Sequence, residues 1–488
     1  MIVDSTGMKQ IEASSGMTVS ELMERAGSLI VDALREHVAP GSRILFLAGK
    51  GNNGGDAFVA ARLLKREYKC RIILVSGKPS TEAAAENHAK LSRSTFVSVR
   101  HFDQELEEAD AVVDAVFGFG FHDALPANLK ALFKKVNRSG KPVYSIDINS
   151  GAESDTDSFD KDAVRSDITF ALDCLKPFHT LRKEHHLFRS VQLLSMDLPH
   201  ALPSKYHEMN EEIFFRNFPK KEESAYKGSH GRILITAGGK GMAGAACLNI
   251  LGATAMGAGY IECALPEEIY AIPASKFITT VYHPFNYDNW KDVILPLVTN
   301  ASAICMGSGA VNMPRTRDVM DLILQNSKAP VILDAEALRM FVQNTYLLPF
   351  VKAPVIITPH IGEFAALINK PVHYVRDNKV KLAAEFAVEY GVIVVLKGAN
   401  TIVASPSGEY YFNQSGNPAL AQAGSGDLLT GIMTAMLSFT ADIFKAVCMA
   451  VWVHGYIADI GLSSHSMQAF PFECYPRLMD ELFRKHGY

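Results

Sequence analysis

The sequence lacks the features that mark secreted, zinc-framework and nucleic-acid-binding proteins. Its seven cysteines contain no C-x-x-C pair, so we expect reduced thiols rather than a disulfide or zinc framework. It has no long basic run, and a net charge of -4 with a pI near 6.5 argues against nucleic-acid or membrane-surface partners. The N-terminal stretch lacks the charged-then-apolar pattern of a secretion signal. These absences predict a cytoplasmic protein.

The composition and length are those of a soluble protein with more than one domain. Hydrophobic residues make up 48% of the chain and charged residues 20%, and 488 residues exceed what one core usually serves. The apolar stretch 243–261 contains Asn249, so we expect a buried helix there rather than a membrane span. We predict one domain over 1–205, a charge-dense connector over 206–226 and a second domain over 227–488.

The most informative stretch is 413–437, where Gly424-Ser425-Gly426-Asp427 directly precedes a helical pattern of apolar residues. Free amides and the helix dipole favour an anion at a helix N-terminus, such as a phosphate. An aspartate beside such a seat can accept a hydroxyl proton while the amides hold a phosphoryl group. The pattern predicts a phosphoryl-transfer site with Asp427 as its base, and an ordinary glycine-rich turn is the alternative.

The first domain opens with a capping box at Thr18–Glu21 and an amphipathic helix. A strand at 43–48, the glycine loop GKGNNGGD at 49–56, a helix and a strand at 71–75 then predict a βαβ unit. The loop satisfies G-x-G-x-x-G, but no acidic residue follows the next strand and no Gly-Lys-Ser/Thr follows the loop. We interpret it as a polar ligand cradle; the alternative is a tight turn in which Asp56 caps the helix.

Polar side chains follow three predicted strands of this domain, namely Asn53 and Asp56, Asp114, and Asp147 and Ser150. Because the carboxyl ends of parallel strands share one edge of a sheet, we expect these side chains to converge. Their oxygens could hold a hard cation. Carboxylates that met without a cation would repel each other, so the pattern predicts either a cation or a perturbed pKa.

The motifs GKGNNGGD, VVDAVFGFG and SIDINSG, in that order, resemble the epimerase domain of the bifunctional NAD(P)H-hydrate repair enzymes. The resemblance implies a Rossmann-like three-layer α/β/α fold that interconverts the R and S forms of NADHX and NADPHX, the hydrated reduced nicotinamide cofactors. The implied substrate contacts are Asn52, Asn53, Gly54, Gly55, Asp56, Gly118, Phe119, Gly120, Phe121 and Asp147. The implied potassium ligands are Asn53, Asp114 and Ser150, and the implied catalytic residues are Asp147 and Lys176.

Two positions of this domain depart from the family pattern. Ala57 replaces the usual glycine after NNGGD, and Asn149 replaces the proline of D-I-P-S-G. Loss of that proline predicts a looser turn before Ser150 and weaker potassium binding.

The second domain begins a new α/β series without an internal repeat of the first. We predict strands at 231–237, 260–265, 303–306, 331–334, 355–358 and 392–396, with helices at 243–257 and 378–390. Three of these strands end near Asp334, His360 and Lys397. Singly, Asp334 and His360 could cap helices and Lys397 could be a solvated charge.

The motifs KGSHGRILITAGG, AGAA, LDAEAL, TPHIGE, LKGANT and GNPALAQAGSGDLLTG resemble the ribokinase-like dehydratase domain of the same family. The resemblance implies Mg²⁺ and ADP-dependent dehydration of the S hydrate, with AMP and phosphate released. The implied substrate contacts are Ala245, Gly309, His360 and Asp427, and the implied nucleotide contacts are Lys397, Gly398, Ala399, Asn400, Thr401 and Gly426. The chain departs from the family pattern at 306–310 and Ala423.

Two other functions stay open from the sequence. A ribokinase-like vitamin or sugar kinase would share the GSGD motif, with the first domain as a passive partner. Alternatively, the first domain is a ligand-sensing or protein-interaction module without chemistry. We also expect a homo-oligomer that binds NADHX or NADPHX and an adenine nucleotide, and the choice between ADP and ATP is open.

Overall fold

A computed structural model shows two compact units, residues 1–206 and 207–488. Each unit holds one sheet with helices packed on it, so the predicted α/β fold class is confirmed. The predicted start of the second domain, residue 227, lies outside the described residues. The structure describes residues 1–122, 124–200, 204–224 and 231–488.

Seven parallel strands form the sheet of the first unit. They are β1 (Arg43–Ala48), β2 (Lys69–Leu74), β3 (Phe96–Val97), β4 (Ala111–Ala115), β5 (Val143–Ile146), β6 (Ser166–Leu172) and β7 (Phe188–Leu194). Their order across the sheet is β3-β2-β1-β4-β5-β6-β7, so the winding direction reverses between β1 and β4. Ligands of doubly wound sheets bind at the carboxyl ends of the strands beside such a reversal.

Helices cover both faces of this sheet. They are α1 (Ser5–Ser14), α2 (Val19–His37), α3 (Asn52–Leu64), α4 (Glu82–Ala89), α5 (Phe102–Glu108), α6 (Ala127–Arg138), α7 (Pro177–Thr180) and α8 (Arg182–His185). In β1, Phe46 packs into the core shared with α2 and α3, while Leu47 packs into the core shared with α5 and α6. Because β1 is buried on both faces of the sheet, its sequence is a continuous apolar run rather than an alternation of apolar and polar residues. The predicted capping box at Thr18 and Glu21 is confirmed.

Ten strands form the sheet of the second unit. They are β8 (Tyr206–His207), β9 (Arg232–Thr236), β10 (Tyr260–Pro266), β11 (Val281–Phe285), β12 (Ala303–Met306), β13 (Val331–Leu333), β14 (Val355–Ile357), β15 (Ile393–Leu396), β16 (Ile402–Ala404) and β17 (Tyr410–Phe412). Their order is β11-β10-β9-β12-β13-β14-β15-β16-β17-β8. The strands from β11 to β15 are parallel, whereas β16 pairs antiparallel with β15 and β17. The winding reverses between β9 and β12.

The helices of the second unit include a long and largely apolar one, Ile443–Gly461. They are α9 (Glu211–Asn217), α10 (Ala243–Ala255), α11 (Ala271–Lys276), α12 (Trp290–Asn300), α13 (Thr316–Asn326), α14 (Glu336–Arg339), α15 (Ile361–Leu367), α16 (Val372–Asp377), α17 (Lys379–Tyr390), α18 (Ser425–Phe439), α19 (Ile443–Gly461) and α20 (Tyr475–Lys485). By length and composition α19 could cross a membrane, but 72% of its apolar window is buried inside the protein. It packs against α18 and α20 as a core helix.

The predicted element limits agree with the structure at the strands 43–48 and 303–306. The segment predicted as a connector, 206–226, contains β8 and α9 in its described part. Phe214 of α9 is completely buried in the core of the second unit. Met209, Phe215 and Phe218 pack against the same core, so apolar contacts anchor this charge-dense segment to the second unit.

Helices α10 and α18 approach each other closely because each helix has a glycine that contacts the backbone of the other. A Cβ added to Gly252 would lie less than 3.0 Å from the carbonyl oxygen of Leu428, and one added to Gly431 would meet the Asn249 carbonyl in the same way. Real Cβ atoms do not approach a backbone oxygen that closely. These two glycines therefore set the position of α18, the helix that starts with the GSGD motif.

We predict that Gly252→Ala destabilises the second unit by about 1–3 kcal/mol, because the added methyl group forces α10 and α18 apart. Gly244→Ala is the matched control on the same helix, since a Cβ there meets nothing within 4 Å. Tryptophan fluorescence during urea unfolding measures the change, since the two tryptophans, Trp290 and Trp452, both lie in the second unit. Equal unfolding midpoints for the two variants would contradict the role of Gly252.

Candidate active sites

The first candidate site is built around Asp147, which follows β5. Its φ of 63° is left-handed, and the Ile148 amide donates to the Ile146 carbonyl at 2.8 Å, closing a γ-turn around it. The Asp147 amide donates to Phe170 of β6 at 2.8 Å. A left-handed conformation strains a residue that has a Cβ, and such strain is concentrated at functional sites. The turn therefore marks Asp147 independently of its sequence motif.

A buried ion pair fixes the Asp147 side chain. Lys176 Nζ donates to Asp147 Oδ1 at 2.7 Å, and the lysine and aspartate side chains are 0% and 4% exposed. Lys176 Nζ also donates to the Leu172 carbonyl at 2.9 Å, and the Phe119 amide donates to Asp147 Oδ2 at 3.0 Å. Asp147 thus joins the end of β6 to the loop after β4. Removing one partner would leave the other charged and buried, which is costly.

His179, which the sequence analysis missed, supports Asp147 from α7. Its Nδ1 accepts from the Lys176 amide at 3.0 Å, and its Nε2 lies 2.7 Å from the Asp147 carbonyl oxygen. Burial lowers the pKa of His179 to about 3, so the ring is neutral. Since Nδ1 accepts, Nε2 carries the proton and donates to Asp147. The sequence offered one signal for this role: His179 follows Lys176 by three residues, with a proline between them, as expected at the start of a short helix.

The environment of a second carboxyl group of this site, Asp56, favours the neutral form. It lies inside α3, whose N-cap is Gly51, so the alternative in which Asp56 caps the helix is wrong. Burial raises the pKa of Asp56 well above its usual range, and the charges of Asp147 and Glu12 add to the effect. No residue in the described part of the chain donates a hydrogen bond to its carboxyl oxygens. Glu12 of α1, also missed from the sequence, has a pKa raised by burial and by Asp147.

The structure brings the predicted cation ligands into one hydrogen-bond network. Asp114 Oδ1 accepts from Ser150 Oγ at 2.6 Å, and its Oδ2 accepts from the Ser150 amide at 2.9 Å. Ser150 Oγ accepts from the Phe117 amide at 2.9 Å, and Asn53 Nδ2 donates to the Phe117 carbonyl at 2.9 Å. The side-chain hydrogen bonds of Asn53 are made by Nδ2. Its Oδ1 accepts no hydrogen bond from any described residue, so this oxygen can coordinate a cation. Burial raises the pKa of Asp114 against the hydroxyl and amide donors that lower it.

The expected loosening of the turn at Asn149 is wrong. Asn149 is completely buried, and its Nδ2 lies within 3.1 Å of the Val164 carbonyl, Ser166 Oγ and the Leu187 carbonyl. Its Oδ1 accepts from Thr169 at 2.6 Å. A proline would restrict this turn through φ, whereas Asn149 restricts it through side-chain hydrogen bonds. Ser150 is therefore held in place without the proline.

The other predicted substrate contacts of the first site divide into two groups. A Cβ on Gly118 would lie 3.3 Å from Asp147 Oδ2 and 3.4 Å from Asn53 Cγ, so Gly118 lies between those two side chains. By contrast, a Cβ on Gly55 would meet Met23 of α2, and Phe121 packs into the core beneath the sheet. At position 54 only glycine fits, because an added Cβ would clash with the Gly49 carbonyl oxygen. Asn52 Oδ1 accepts a hydrogen bond from Thr81 at 2.7 Å. Phe119 and Gly120 lie in the loop after β4.

The second candidate site contains another buried lysine–aspartate pair. Asp334 follows β13. Its Oδ1 accepts hydrogen bonds from Lys397 Nζ at 3.0 Å and from Thr358 Oγ1 at 2.8 Å. Its Oδ2 accepts one from Ser308 Oγ at 2.9 Å. Burial favours the neutral carboxyl, but Lys397 and the hydroxyl donors outweigh it and lower the pKa of Asp334. Asp334 does not cap α14, whose N-cap is Ala335. The two hydroxyl donors were not predicted from the sequence.

Asp427, in the first turn of α18, has the protonation behaviour of a general base. Burial and, to a smaller extent, the charge of Asp334 raise the pKa of Asp427 to about 6, although Lys397 and Ser308 act against the increase. The Asn249 side chain of α10 donates to the Asp427 carbonyl at 2.7 Å, which fixes the start of the helix. A base with a pKa near 6 is largely ionised at neutral pH and can still take a proton.

The start of α18 also presents free amides. Gly424 is its N-cap with φ 91°, and no side chain caps the helix. Within the described residues the amides of Gly426 and Asp427 donate no hydrogen bond. A Cβ on Gly426 would lie 3.2 Å from Lys397 Nζ, so these amides lie close to a cation. The arrangement suits a phosphoryl group.

His454 of α19 is a further neighbour that the sequence did not reveal. Its Nε2 lies 3.4 Å from Ser425 Oγ, and burial lowers the pKa of His454 to about 4, so the ring is neutral. Because it is uncharged, His454 does not compete with Lys397 for a bound anion.

The remaining predicted contacts of the second site occupy three places. Gly309, with φ 63°, adjoins Ala245, since an added Cβ would lie 2.6 Å from the alanine Cβ. His360 caps α15, as its Nδ1 accepts from the Gly362 and Glu363 amides, although its side chain is 60% exposed. In the loop after β15, Gly398 and Ala399 are exposed, whereas Asn400 is buried. Thr401 Oγ1 donates to the Gly398 carbonyl at 3.2 Å, and Asn400 Nδ2 donates to the Asn413 carbonyl at 2.8 Å.

Comparison with known proteins matches each unit to a family. Residues 19–178 match the family described as YjeF-related protein N-terminus, and residues 233–473 match the family described as NAD(P)H-hydrate dehydratase. The bifunctional NAD(P)H-hydrate repair enzyme of Moorella thermoacetica is 30% identical over 465 residues, covering 90% of this chain and 87% of that protein. The enzyme of the same name from Escherichia coli is 28% identical over 457 residues, covering 91% and 86%.

Solved structures resemble the second unit. The ADP/ATP-dependent NAD(P)H-hydrate dehydratase from Bacillus subtilis, co-crystallised with ATP and Mg²⁺, has a TM-score of 0.51 and 30% identity, covering 57% of this chain and 97% of that one. A ribokinase-like superfamily protein from Enterococcus faecalis has a TM-score of 0.53 and 20% identity, covering 58% and 98%. The second likeness concerns the fold alone.

We predict that Lys176→Met destabilises the first unit by about 3–5 kcal/mol, because Asp147 stays buried without its partner. Lys135→Met is the matched control, since Lys135 pairs with Asp103 at 2.6 Å with both side chains more than half exposed; its cost should stay below about 1 kcal/mol. Native-state hydrogen exchange of amides in β5 and β6 measures both changes. Similar exchange rates in the two variants would contradict the importance of the buried pair.

Proposed function

Because the chain belongs to the family of bifunctional NAD(P)H-hydrate repair enzymes, we propose that its two sites divide the repair chemistry between them. The protein is an NAD(P)H-hydrate epimerase in its first unit and an ADP-dependent NAD(P)H-hydrate dehydratase in its second. The first site interconverts the R and S hydrates, and the second returns the S hydrate to NADH or NADPH. The most direct support is Asp427, a carboxylate with a pKa of about 6 beside unpaired helix amides.

In the second site, Asp427 acts as the base for phosphoryl transfer. The hydrate carries a hydroxyl group on the reduced nicotinamide ring, and hydroxide is a poor leaving group. Asp427 takes the hydroxyl proton while the oxygen attacks the terminal phosphoryl group of ADP, which releases AMP. The amides at the start of α18 stabilise the charge that develops on the phosphoryl oxygens. Phosphate then leaves, pushed by the ring nitrogen, and loss of a ring proton restores the reduced cofactor.

The Asp334–Lys397 pair prepares this step electrostatically. Asp334 accepts three hydrogen bonds, one of them from Lys397, and these stabilise its ionised form. Asp427 lies beside this pair, and its pKa is raised to about 6. Carboxylates whose pKa values are driven apart take different roles in catalysis. Lys397 through Thr401 and Gly426 hold the adenine nucleotide in this proposal, and Ala245, Gly309 and His360 contact the hydrate. Mg²⁺ accompanies the nucleotide and neutralises phosphate charge, and we assign no residue to it.

In the first site, Asp56 and Asp147 act as the acid and base of epimerisation. The carbon that bears the hydroxyl is bonded to the ring nitrogen, so the hydroxyl group can leave as water once it is protonated. Asp56, neutral because it is buried near two other carboxylates, donates that proton. Asp147, held by Lys176, accepts a proton when water returns to the opposite face of the ring. Lys176 is completely buried, which favours a role in positioning Asp147.

The oxygen-rich network of the first site fits a potassium ion. Asn53 Oδ1, the Asp114 carboxylate and Ser150 Oγ are hard ligands of the kind such an ion requires. Asp114 is completely buried and forms no ion pair within the described residues, so a cation would compensate its charge. The cytoplasmic location and the homo-oligomeric state stay predictions.

We predict that Asp427→Asn lowers the dehydratase turnover by about 100-fold or more, because the amide cannot accept the hydroxyl proton. In the unmodified protein, kcat/KM should fall tenfold per pH unit below a pKa of about 6 and be flat above it, since only ionised Asp427 is a base. Absorbance at the reduced-nicotinamide wavelength and release of inorganic phosphate measure the reaction.

The epimerase rate of Asp427→Asn is the internal control and should be unchanged. Formation of a stable phosphorylated product from ATP, instead of phosphate and reduced cofactor, would favour the kinase alternative. A variant that kept the full dehydratase rate would rule out Asp427 as the base.

We predict that Asp56→Asn slows epimerisation by about 100-fold or more while the protein stays folded, because a neutral amide replaces a neutral carboxyl of the same shape. Interconversion of separated R and S hydrates, followed by chromatography, measures the rate. Asp103→Asn, an exposed position of the same unit, is the matched control and should have no effect. Epimerisation at the normal rate in Asp56→Asn would exclude Asp56 as the acid.

A further inference from the structure

A cluster outside both proposed sites joins a carboxylate, a thiol and an imidazole. Asp173 and Cys174 directly follow β6, and His200 lies after β7. His200 Nε2 lies 2.8 Å from Asp173 Oδ2 and 3.5 Å from Cys174 Sγ, and Cys174 Sγ lies 3.6 Å from Asp173 Oδ2. Asp173 and Cys174 are buried, whereas the His200 side chain is 33% exposed. Three potential ligand atoms of different chemistry thus meet at one point that opens to solvent.

The backbone at Asp173 repeats the strained turn at Asp147. Asp173 has a left-handed φ of 58°, and the Cys174 amide donates to the Leu172 carbonyl at 2.7 Å. Its Oδ1 accepts from the Met196 amide at 3.0 Å, which leaves Oδ2 directed at His200 and Cys174. Strain of this kind is retained where it orients a functional side chain.

The three distances match one face of a tetrahedral metal site. With metal–sulfur bonds of about 2.3 Å and metal–nitrogen or metal–oxygen bonds of about 2.0 Å, tetrahedral geometry separates sulfur from nitrogen or oxygen by about 3.5 Å and nitrogen from oxygen by about 3.3 Å. The observed sulfur separations are 3.5 and 3.6 Å. The nitrogen–oxygen separation, 2.8 Å, is shorter because a hydrogen bond joins the two atoms. A small adjustment of the His200 ring would therefore complete the face.

The same geometry argues against a nucleophilic cysteine. In a Cys-His-Asp relay the imidazole uses one nitrogen for the nucleophile and the other for the carboxylate. Here a single nitrogen, His200 Nε2, faces both Cys174 and Asp173. Metal coordination requires one lone pair from each ligand at a common point, and here the three ligand atoms lie within 4.8 Å of one another.

We propose that Asp173, Cys174 and His200 form a binding site for a divalent cation of the zinc type, with water in the fourth position. Thiolate, imidazole and carboxylate together are the ligand set that Zn²⁺ accepts in tetrahedral sites. Binding releases the thiol proton, so the affinity rises with pH. The ion would connect the segment after β7 to Cys174, which lies two residues before Lys176. The site was not visible in the sequence because 25 residues separate Cys174 from His200.

Zinc titration of the full-length protein tests the proposal. Chelator-treated protein is titrated with Zn²⁺ against a chromophoric chelator, and we expect one tight equivalent per chain. His200→Ala should weaken that equivalent by about tenfold or more, since one of three protein ligands is lost. His101→Ala, an exposed histidine of the same unit, is the matched control and should bind as the unmodified protein does.

Cobalt spectroscopy identifies the ligands independently of stability. Co²⁺ substitution should produce a sulfur-to-metal charge-transfer band that Cys174→Ser abolishes. His200→Ala keeps the test valid if the buried cysteine variant fails to fold, because His200 is partly exposed. Absence of a tight zinc equivalent, equal affinity in His200→Ala, or cobalt binding without the charge-transfer band would each overturn the proposal.

Discussion

A buried lysine–aspartate ion pair at the carboxyl edge of the sheet organises each unit of this protein. In the first unit, Lys176 joins Asp147, and in the second, Lys397 joins Asp334. Burial of a carboxylate at such depth is costly, and the lysine and the hydrogen-bond donors of each aspartate offset that cost. Each pair also links separate strand ends, β5 with β6 and β13 with β15, so the packing of the sheet and the chemistry of the site depend on the same contact.

A second carboxyl group lies close to each pair and behaves differently from the paired one. Asp56 is driven towards its neutral form in the first unit, and the pKa of Asp427 rises to about 6 in the second. In both cases burial is the largest cause and the charge of the paired aspartate adds to it. In the proposed function this arrangement gives an acid in the first site and a base in the second, since Asp56 is buried and Asp427 only partly buried.

Much of the sheet edge was predictable because parallel strands place their carboxyl ends together. The motifs around Asn53, Asp114 and Ser150 indicated convergence. In the structure Ser150 donates directly to Asp114, and the backbone of Phe117 connects Ser150 to Asn53. The turn at Asn149 was not predictable, because its four partners come from residues 164 to 187, which local sequence patterns cannot pair with it. Asn249 and His454 were missed as site residues for the same reason, since their contacts with Asp427 and Ser425 depend on the packing of separate helices.

The sequence by itself determined the two α/β series, the glycine loops at strand ends and the resemblance that identified the family. These features depend on local periodicity and on motifs that are contiguous in the chain. Only the tertiary structure decided which carboxylates are paired and which are left basic, and that Asp173, Cys174 and His200 meet. Protonation and ligand geometry depend on burial and on distances between residues far apart in the chain, and no local pattern encodes either quantity.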